Sequence, residues 1–190
     1  MSGANMRKHL GALHLGENEC SFTIYQATGE LRGQNRMSYK DMTLEGIKET
    51  VFELLKSISE FGQELGGAGM GITSTVNVKI PVEGGIMLLQ DYITSLLSGR
   101  KDIAKSIAAK AKKIHKEPLV SREIEDCSGA GFINSRLAQS LGLPFSIAII
   151  PMGEDTDDPI RTIIKVGLMC RRYNSILEAT EKFPDYHFKG

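Results

Sequence analysis

The alternation of apolar and polar positions predicts two strands in the first half of the chain. Over Ser21–Glu30, the apolar Phe22 and Ile24 flank the polar Thr23, and a repeat of two residues is typical of a half-buried strand. The same alternation runs through Ile72–Pro81. It predicts a strand with one wet face, as in an antiparallel sheet that is covered on one side.

Apolar positions spaced three and four residues apart predict helices elsewhere. The longest such run is Thr43–Gly62, where Thr43 is placed to cap the helix start and Gly62 to end it. Residues 86–97 are apolar enough for a buried helix, and residues 132–142 predict a shorter one. Ser175 with Glu178 has the spacing of a capping box, which predicts a last helix near the carboxyl end.

The runs "FSIAIIP" (145–151) and "IRTIIKVGLMC" (160–170) are rich in β-branched residues, which favour strands. We therefore predict a hairpin whose tip is the acidic loop between them. Four carboxylates in that loop could bind a hard cation, although a solvated tip is the favoured interpretation. They are Glu154, Asp155, Asp157 and Asp158. The order of elements predicts an α+β fold, a mainly antiparallel sheet with helices packed on one face, and residues 1–190 as a single domain.

Composition indicates a globular protein of an intracellular compartment. The chain has 190 residues, of which 41% are hydrophobic and 24% charged, and it shows neither a signal peptide nor a transmembrane segment. The three cysteines, Cys20, Cys127 and Cys170, are an odd number at wide spacings, so we expect neither a disulfide framework nor a metal pair. No catalytic or cofactor motif is recognisable. The sequence thus predicts no cofactor and no metal site, and leans against an enzyme.

One segment stands out by its charge in a chain whose formal net charge is zero. Between Arg100 and Lys116 there are seven Lys or Arg residues and one Asp. On a helix, four of the lysines share one side and the isoleucines lie on nearly the opposite side; these lysines are Lys101, Lys105, Lys112 and Lys116. A basic amphipathic helix of this kind predicts a non-enzymatic, self-associating protein that binds a polyanion, either nucleic acid or an anionic membrane surface. The alternative is a solvated helix that pairs with nearby acidic segments.

Two other functional classes remain open from the sequence. Cys127, followed by Gly129 and Gly131, precedes a predicted helix, and a helix start favours a thiolate or a bound anion. This pattern suggests a small-molecule enzyme or sensor, against the alternative of an inert buried cysteine. The third class is a structural or assembly protein, possibly viral, whose hairpin and aromatic carboxyl end make subunit contacts.

Overall fold

A computed structural model describes residues 9–58, 69–75, 79–82, 85–99, 133–143, 147–152, 158–170 and 172–186. The elements follow one another as β1 (His9–Leu15), β2 (Glu19–Gln26), β3 (Leu31–Ser38), α1 (Leu44–Ser57), β4 (Gly69–Ser74), β5 (Lys79–Val82), β6 (Gly85–Leu88), α2 (Leu89–Ser98), α3 (Ser135–Leu141), β7 (Ala148–Pro151), α4 (Pro159–Met169) and α5 (Ile176–Glu181).

The main sheet has five strands in the order β3-β2-β1-β4-β7. Strands β1, β2 and β3 form an antiparallel meander. Strand β4 then pairs parallel with β1, and β7 pairs parallel with β4. Strands β5 and β6 pair with each other, antiparallel, in a separate two-stranded sheet.

Helices cover both faces of the main sheet. The side chains of Leu13 and Leu15 enter one core, which also contains buried residues of α1, α2 and α3. The side chains of Leu10 and Ala12 point to the other face, where the second core contains residues of α4 and α5. Alternate residues of one strand point to opposite faces, so β1 contributes to both cores.

The predicted fold class is therefore wrong in two respects. The main sheet is mixed, with two antiparallel and two parallel pairs of strands, and its helices lie on both faces instead of one. The chain crosses from β3 through α1 to β4, and parallel pairing requires a crossover of this kind. As a result, all six residues of β4 are buried, whereas the alternation around Ile72 predicted one wet face.

The predicted hairpin is also wrong, because its second half is helix α4. Asp158 caps this helix by accepting hydrogen bonds from the backbone N–H groups of Ile160 and Arg161, at 3.1 and 3.4 Å. Pro159 occupies the first turn, where a missing N–H costs nothing. These start signals and the burial of the helix against the sheet override the β-propensity of its isoleucines and valine.

Other local predictions are confirmed or adjusted. Helix α1 begins after Thr43, whose hydroxyl accepts from the N–H of Gly46 at 3.0 Å, but it ends at Ser57 rather than Gly62, which lies outside the described residues. Ser175 caps α5 as predicted, with the N–H of Glu178 donating to Ser175 Oγ at 3.1 Å, but the Glu178 carboxylate accepts from the N–H of Asn174 at 2.7 Å and not from that of Ser175. The run 86–97 divides into β6 and α2. None of the helices in the described ranges is long and apolar enough to cross a bilayer.

Candidate functional site

A cleft of about 730 Å³ opens where parallel strands β1 and β4 end. Its floor is the part of the sheet beside α4, and its ends are the turn between β1 and β2 and the start of α4. We call it the carboxyl-end cleft. Its size falls within the range of small-molecule sites, and ligands of open α/β sheets bind at the carboxyl ends of parallel strands.

Four polar side chains form a row across the floor of the carboxyl-end cleft. Strand register places Arg36 of β3 opposite Ser21 of β2, Ser21 opposite His14 of β1, and His14 opposite Thr73 of β4. We call these residues the polar row. Register partners on adjacent strands present their side chains on one face, with about 4.8 Å between strands. The polar row therefore spans about 14 Å and can contact an elongated polar molecule.

The buried end of the polar row is fixed by a hydrogen bond. His14 Nδ1 lies 2.9 Å from the hydroxyl of Thr73, a residue that is 2% exposed. His14 Nε2 is directed toward the turn, since it lies 4.0 Å from where a β-carbon on Gly16 would stand. One imidazole nitrogen is thus hydrogen-bonded to β4, and the other lies near the turn between β1 and β2. At the opposite end of the row, the Arg36 side chain is 66% exposed.

Tyr39 holds the turn between β1 and β2 in place with two hydrogen bonds. The Tyr39 hydroxyl donates to the carbonyl of Gly16 at 2.8 Å, and the backbone N–H of Tyr39 donates to the carbonyl of Asn18 at 3.0 Å. The turn is closed by the N–H of Gly16, which donates to the carbonyl of Glu19 at 2.8 Å. Three hydrogen bonds therefore fix the backbone at this end of the cleft.

The start of α4 forms the wall of the cleft through Asp158, Pro159 and Thr162. The Asp158 carboxylate accepts the two N–H groups at the helix start and also hydrogen-bonds Tyr186. Burial, followed by this contact with Asp158, raises the pKa of Tyr186 to about 12. The hydroxyl thus stays protonated at neutral pH, and the Asp158 carboxylate accepts hydrogen bonds from neutral donors.

The charged groups of the cleft are mostly matched. Glu19 Oε1 lies 3.4 Å from a guanidinium nitrogen of Arg36, and Glu17 is exposed at the turn. Among the described residues, no group of three His, Cys, Asp or Glu side chains is placed to hold a metal ion. A divalent cation in this part of the chain would need further oxygens from water or from a ligand.

Cys20 borders the cleft but is not a nucleophile for it. Its side chain belongs to the opposite core, beside α1, and is 1% exposed. Burial raises the pKa of the thiol to about 12, so the thiolate form is scarce at neutral pH. Chemistry in the cleft would rely on oxygen and nitrogen groups.

None of the four residues of the polar row was predicted as a site residue from the sequence. The predicted polyanion-binding residues Lys101, Lys105, Lys112 and Lys116 lie outside the described residues, and so do Cys127, Gly129 and Gly131 of the alternative site. Asp158, interpreted as part of a solvated hairpin tip, instead caps α4 at the cleft wall. The alternation of Ser21 and Thr23 with apolar residues was the one available signal, since it marks a polar face of β2.

Comparisons with known proteins give no family for this chain. No family model matches, and no curated protein matches. Among solved structures, a ligand-bound xylulose kinase from Lactobacillus acidophilus matches at 10% identity and a TM-score of 0.42, covering 75% of this chain and 47% of that one. A carbohydrate kinase from Novosphingobium aromaticivorans matches at 9% and 0.47, covering 74% and 47%. A gluconate kinase from L. acidophilus matches at 10% and 0.33, covering 75% and 42%.

The chain spans about half the length of the kinases it matches or less. TM-scores below 0.5 carry no information on its substrate. The titles of these neighbours name kinases. The prediction of a non-enzymatic polyanion-binding protein is wrong. The described part of the chain provides a cleft of small-molecule size.

Proposed function

We propose that this chain binds a small polar metabolite in the carboxyl-end cleft, with the ligand lying along the polar row. The single observation that supports the proposal is the register of β3, β2, β1 and β4, which aligns four hydrogen-bonding side chains on the cleft floor. A row of donors and acceptors at the carboxyl edge of a sheet is suited to a ligand with several oxygen atoms.

The chemistry of the lining narrows the ligand class. Hydroxyls of Ser21, Thr23, Thr73 and Thr162 line the cleft, together with the amide of Gln34, whose Nε2 donates to Thr23 Oγ1 at 3.3 Å. Such groups donate and accept at the same site, as recognition of hydroxyl-bearing ligands requires. The ligand class is therefore a hydroxylated metabolite, with or without an acidic group.

Thermal shift and titration calorimetry with a compound panel test this proposal. The panel contains sugars, polyols, sugar acids, sugar phosphates and nucleotides, each with and without Mg²⁺. A ligand at one hundred times its dissociation constant should stabilise the fold by about 2.7 kcal/mol. Adding ATP and Mg²⁺ to the bound ligand also tests phosphoryl transfer, the activity that the titles of the structural neighbours name.

Matched variants separate the cleft from the rest of the surface. Ser21→Ala removes a hydroxyl from the polar row and should weaken binding about fivefold to tenfold, the cost of one hydrogen bond. Lys56→Ala alters an exposed residue of α1, on the opposite face of the sheet, and should leave affinity unchanged. Binding that is insensitive to Ser21→Ala but reduced by Lys56→Ala would contradict the proposed site, as would the absence of any ligand in the panel.

We also propose that the protein is intracellular and that it self-associates. Cys20 and Cys170 are both free thiols, which agrees with a reducing compartment. Mass measurement across a concentration series tests self-association, and a constant monomer mass would remove it.

A further inference from the structure

We infer that the protein has a second ligand site, an aromatic groove beside the start of α4 that binds a free aromatic α-amino acid. The groove has a volume of about 240 Å³, and its lining includes Tyr25, Ile160, Lys182, Phe183, Asp185 and Tyr186. It is separate from the carboxyl-end cleft, because Ile160 lines the groove whereas Pro159 and Thr162 line the cleft. The inference therefore does not depend on the proposed function.

Aromatic rings form the apolar part of the groove. The ring centroids of Tyr25 and Phe183 lie 5.4 Å apart, and the two ring planes meet at 73°. Rings at such distances prefer edge-to-face and offset contacts, so a ligand ring can pack in the angle between these two. Phe183 is buried, and the hydroxyl of Tyr186 is hydrogen-bonded to Asp158 and Arg161. The rings are thus held in place before a ligand binds.

Two contacts of the turn between β2 and β3 fix the backbone of the groove. The Tyr173 hydroxyl donates to the carbonyl of Ala27 at 2.7 Å. At Gly29, which also lines the groove, φ is +97°, and a β-carbon would overlap the carbonyl oxygen of Lys182. The turn therefore lies directly against the end of α5, and a site built from both needs little rearrangement to take a ligand.

The rim of the groove carries one cation and one anion. Lys182 and Asp185 are exposed, and among the residues that the structure describes neither takes part in an ion pair. A free α-amino acid carries both charges at neutral pH. Its carboxylate can bind the Lys182 ammonium and its ammonium the Asp185 carboxylate, while its side chain lies against the rings. A volume below that of drug-sized sites limits the ligand to about one amino acid.

Nuclear magnetic resonance titration with phenylalanine and three analogues tests the inference. Phenylalaninamide lacks the carboxylate, N-acetylphenylalanine lacks the ammonium, and alanine lacks the ring. At about pH 6 the α-amino groups are protonated and the carboxylates ionised. We expect phenylalanine to shift the backbone amide signals of Gly29 and Tyr186 and to leave those of Ser21 and Thr73, in the cleft, unchanged. Each singly charged analogue should bind about threefold to fivefold more weakly, since an exposed ion pair contributes about that factor, and alanine should not bind measurably.

Surface variants assign each charge without disturbing the core. Lys182→Gln should remove the preference for phenylalanine over phenylalaninamide, and Asp185→Asn should remove the preference over N-acetylphenylalanine. Lys56→Gln is the matched control, because it removes the same charge from an exposed position on the opposite face of the sheet. It should leave the affinity for every compound unchanged. Ser21→Ala should do the same, because its hydroxyl belongs to the carboxyl-end cleft.

Three results would overturn the inference. One is the absence of amide shifts at Gly29 and Tyr186 at the solubility limit of phenylalanine. Another is equal affinity of the wild-type protein for phenylalanine and the two singly charged analogues. The third is binding that appears only after residues 187–190 are removed, which would assign the groove to the carboxyl end of the chain itself. None of these results bears on the proposed function, whose ligand lies in the carboxyl-end cleft.

Discussion

Substitution of Gly71 by alanine should loosen the contact between β4 and α4. A β-carbon at this position would lie 2.6 Å from a methyl carbon of Val166 and 2.7 Å from the methyl carbon of Thr162. Ordinary van der Waals contacts begin at 3.4 Å, so the methyl groups of Val166 and Thr162 would have to move by about 0.8 and 0.7 Å. Both residues are β-branched and buried in a helix, where their rotamers are restricted. Helix α4 as a whole must therefore shift away from β4.

Overpacking of this size in a closed core costs about 1 to 3 kcal/mol of unfolding free energy. Urea denaturation of wild type and Gly71→Ala measures the loss, with the slope of the transition checked for constancy. The matched control replaces the two obstructing side chains by smaller ones, Thr162→Ser and Val166→Ala. In that background the added methyl group has room, and Gly71→Ala should cost at least about 1 kcal/mol less than in wild type.

Two results would refute this reasoning. One is a change of less than about 0.5 kcal/mol in wild type, within the range of ordinary surface substitutions. The other is strict additivity between Gly71→Ala and the pair of smaller side chains. Additivity would mean that the methyl group meets something other than Val166 and Thr162.

Three further predictions concern the turn, a thiol and a carboxylate. Tyr39→Phe removes the hydrogen bond to Gly16 and should cost about 1 kcal/mol by urea denaturation; an unchanged midpoint would show that the bond contributes nothing. Cys20 should resist iodoacetamide at pH 8 in the native state and react once unfolded, because its thiol is buried with a pKa of about 12; peptide mass mapping that finds native Cys20 labelled would contradict this. Hydrogen bonds from Thr43 hold the pKa of the Asp41 carboxyl below its usual range, so its stabilisation is present at neutral pH and lost as the pH falls through that lowered value. Asp41→Asn should therefore be less stable than wild type at pH 7 and equal to it in strong acid, and a pH-independent difference would argue against the carboxylate.

The sequence by itself determined the elements whose signals are local. Thr43 and the apolar repeat after it specify α1, because capping and amphipathicity act within a few turns of one helix. Ser175 with Glu178 specifies the start of α5 in the same way. The alternation around Phe22 specifies β2, since one of its faces enters a core and the other lines the cleft.

Only the tertiary structure decided the nature of α4 and the assembly of the cleft. The isoleucines of α4 favour a strand locally, and the helix wins because it packs on the sheet over Gly71 and is capped by Asp158. His14 and Thr73 are separated by 59 residues, and they meet because β1 pairs with β4 in parallel register. The strands that become neighbours depend on the crossover connections between them. The pairing that forms is the one that buries apolar side chains on both faces of the sheet, and no single segment of the chain carries that information.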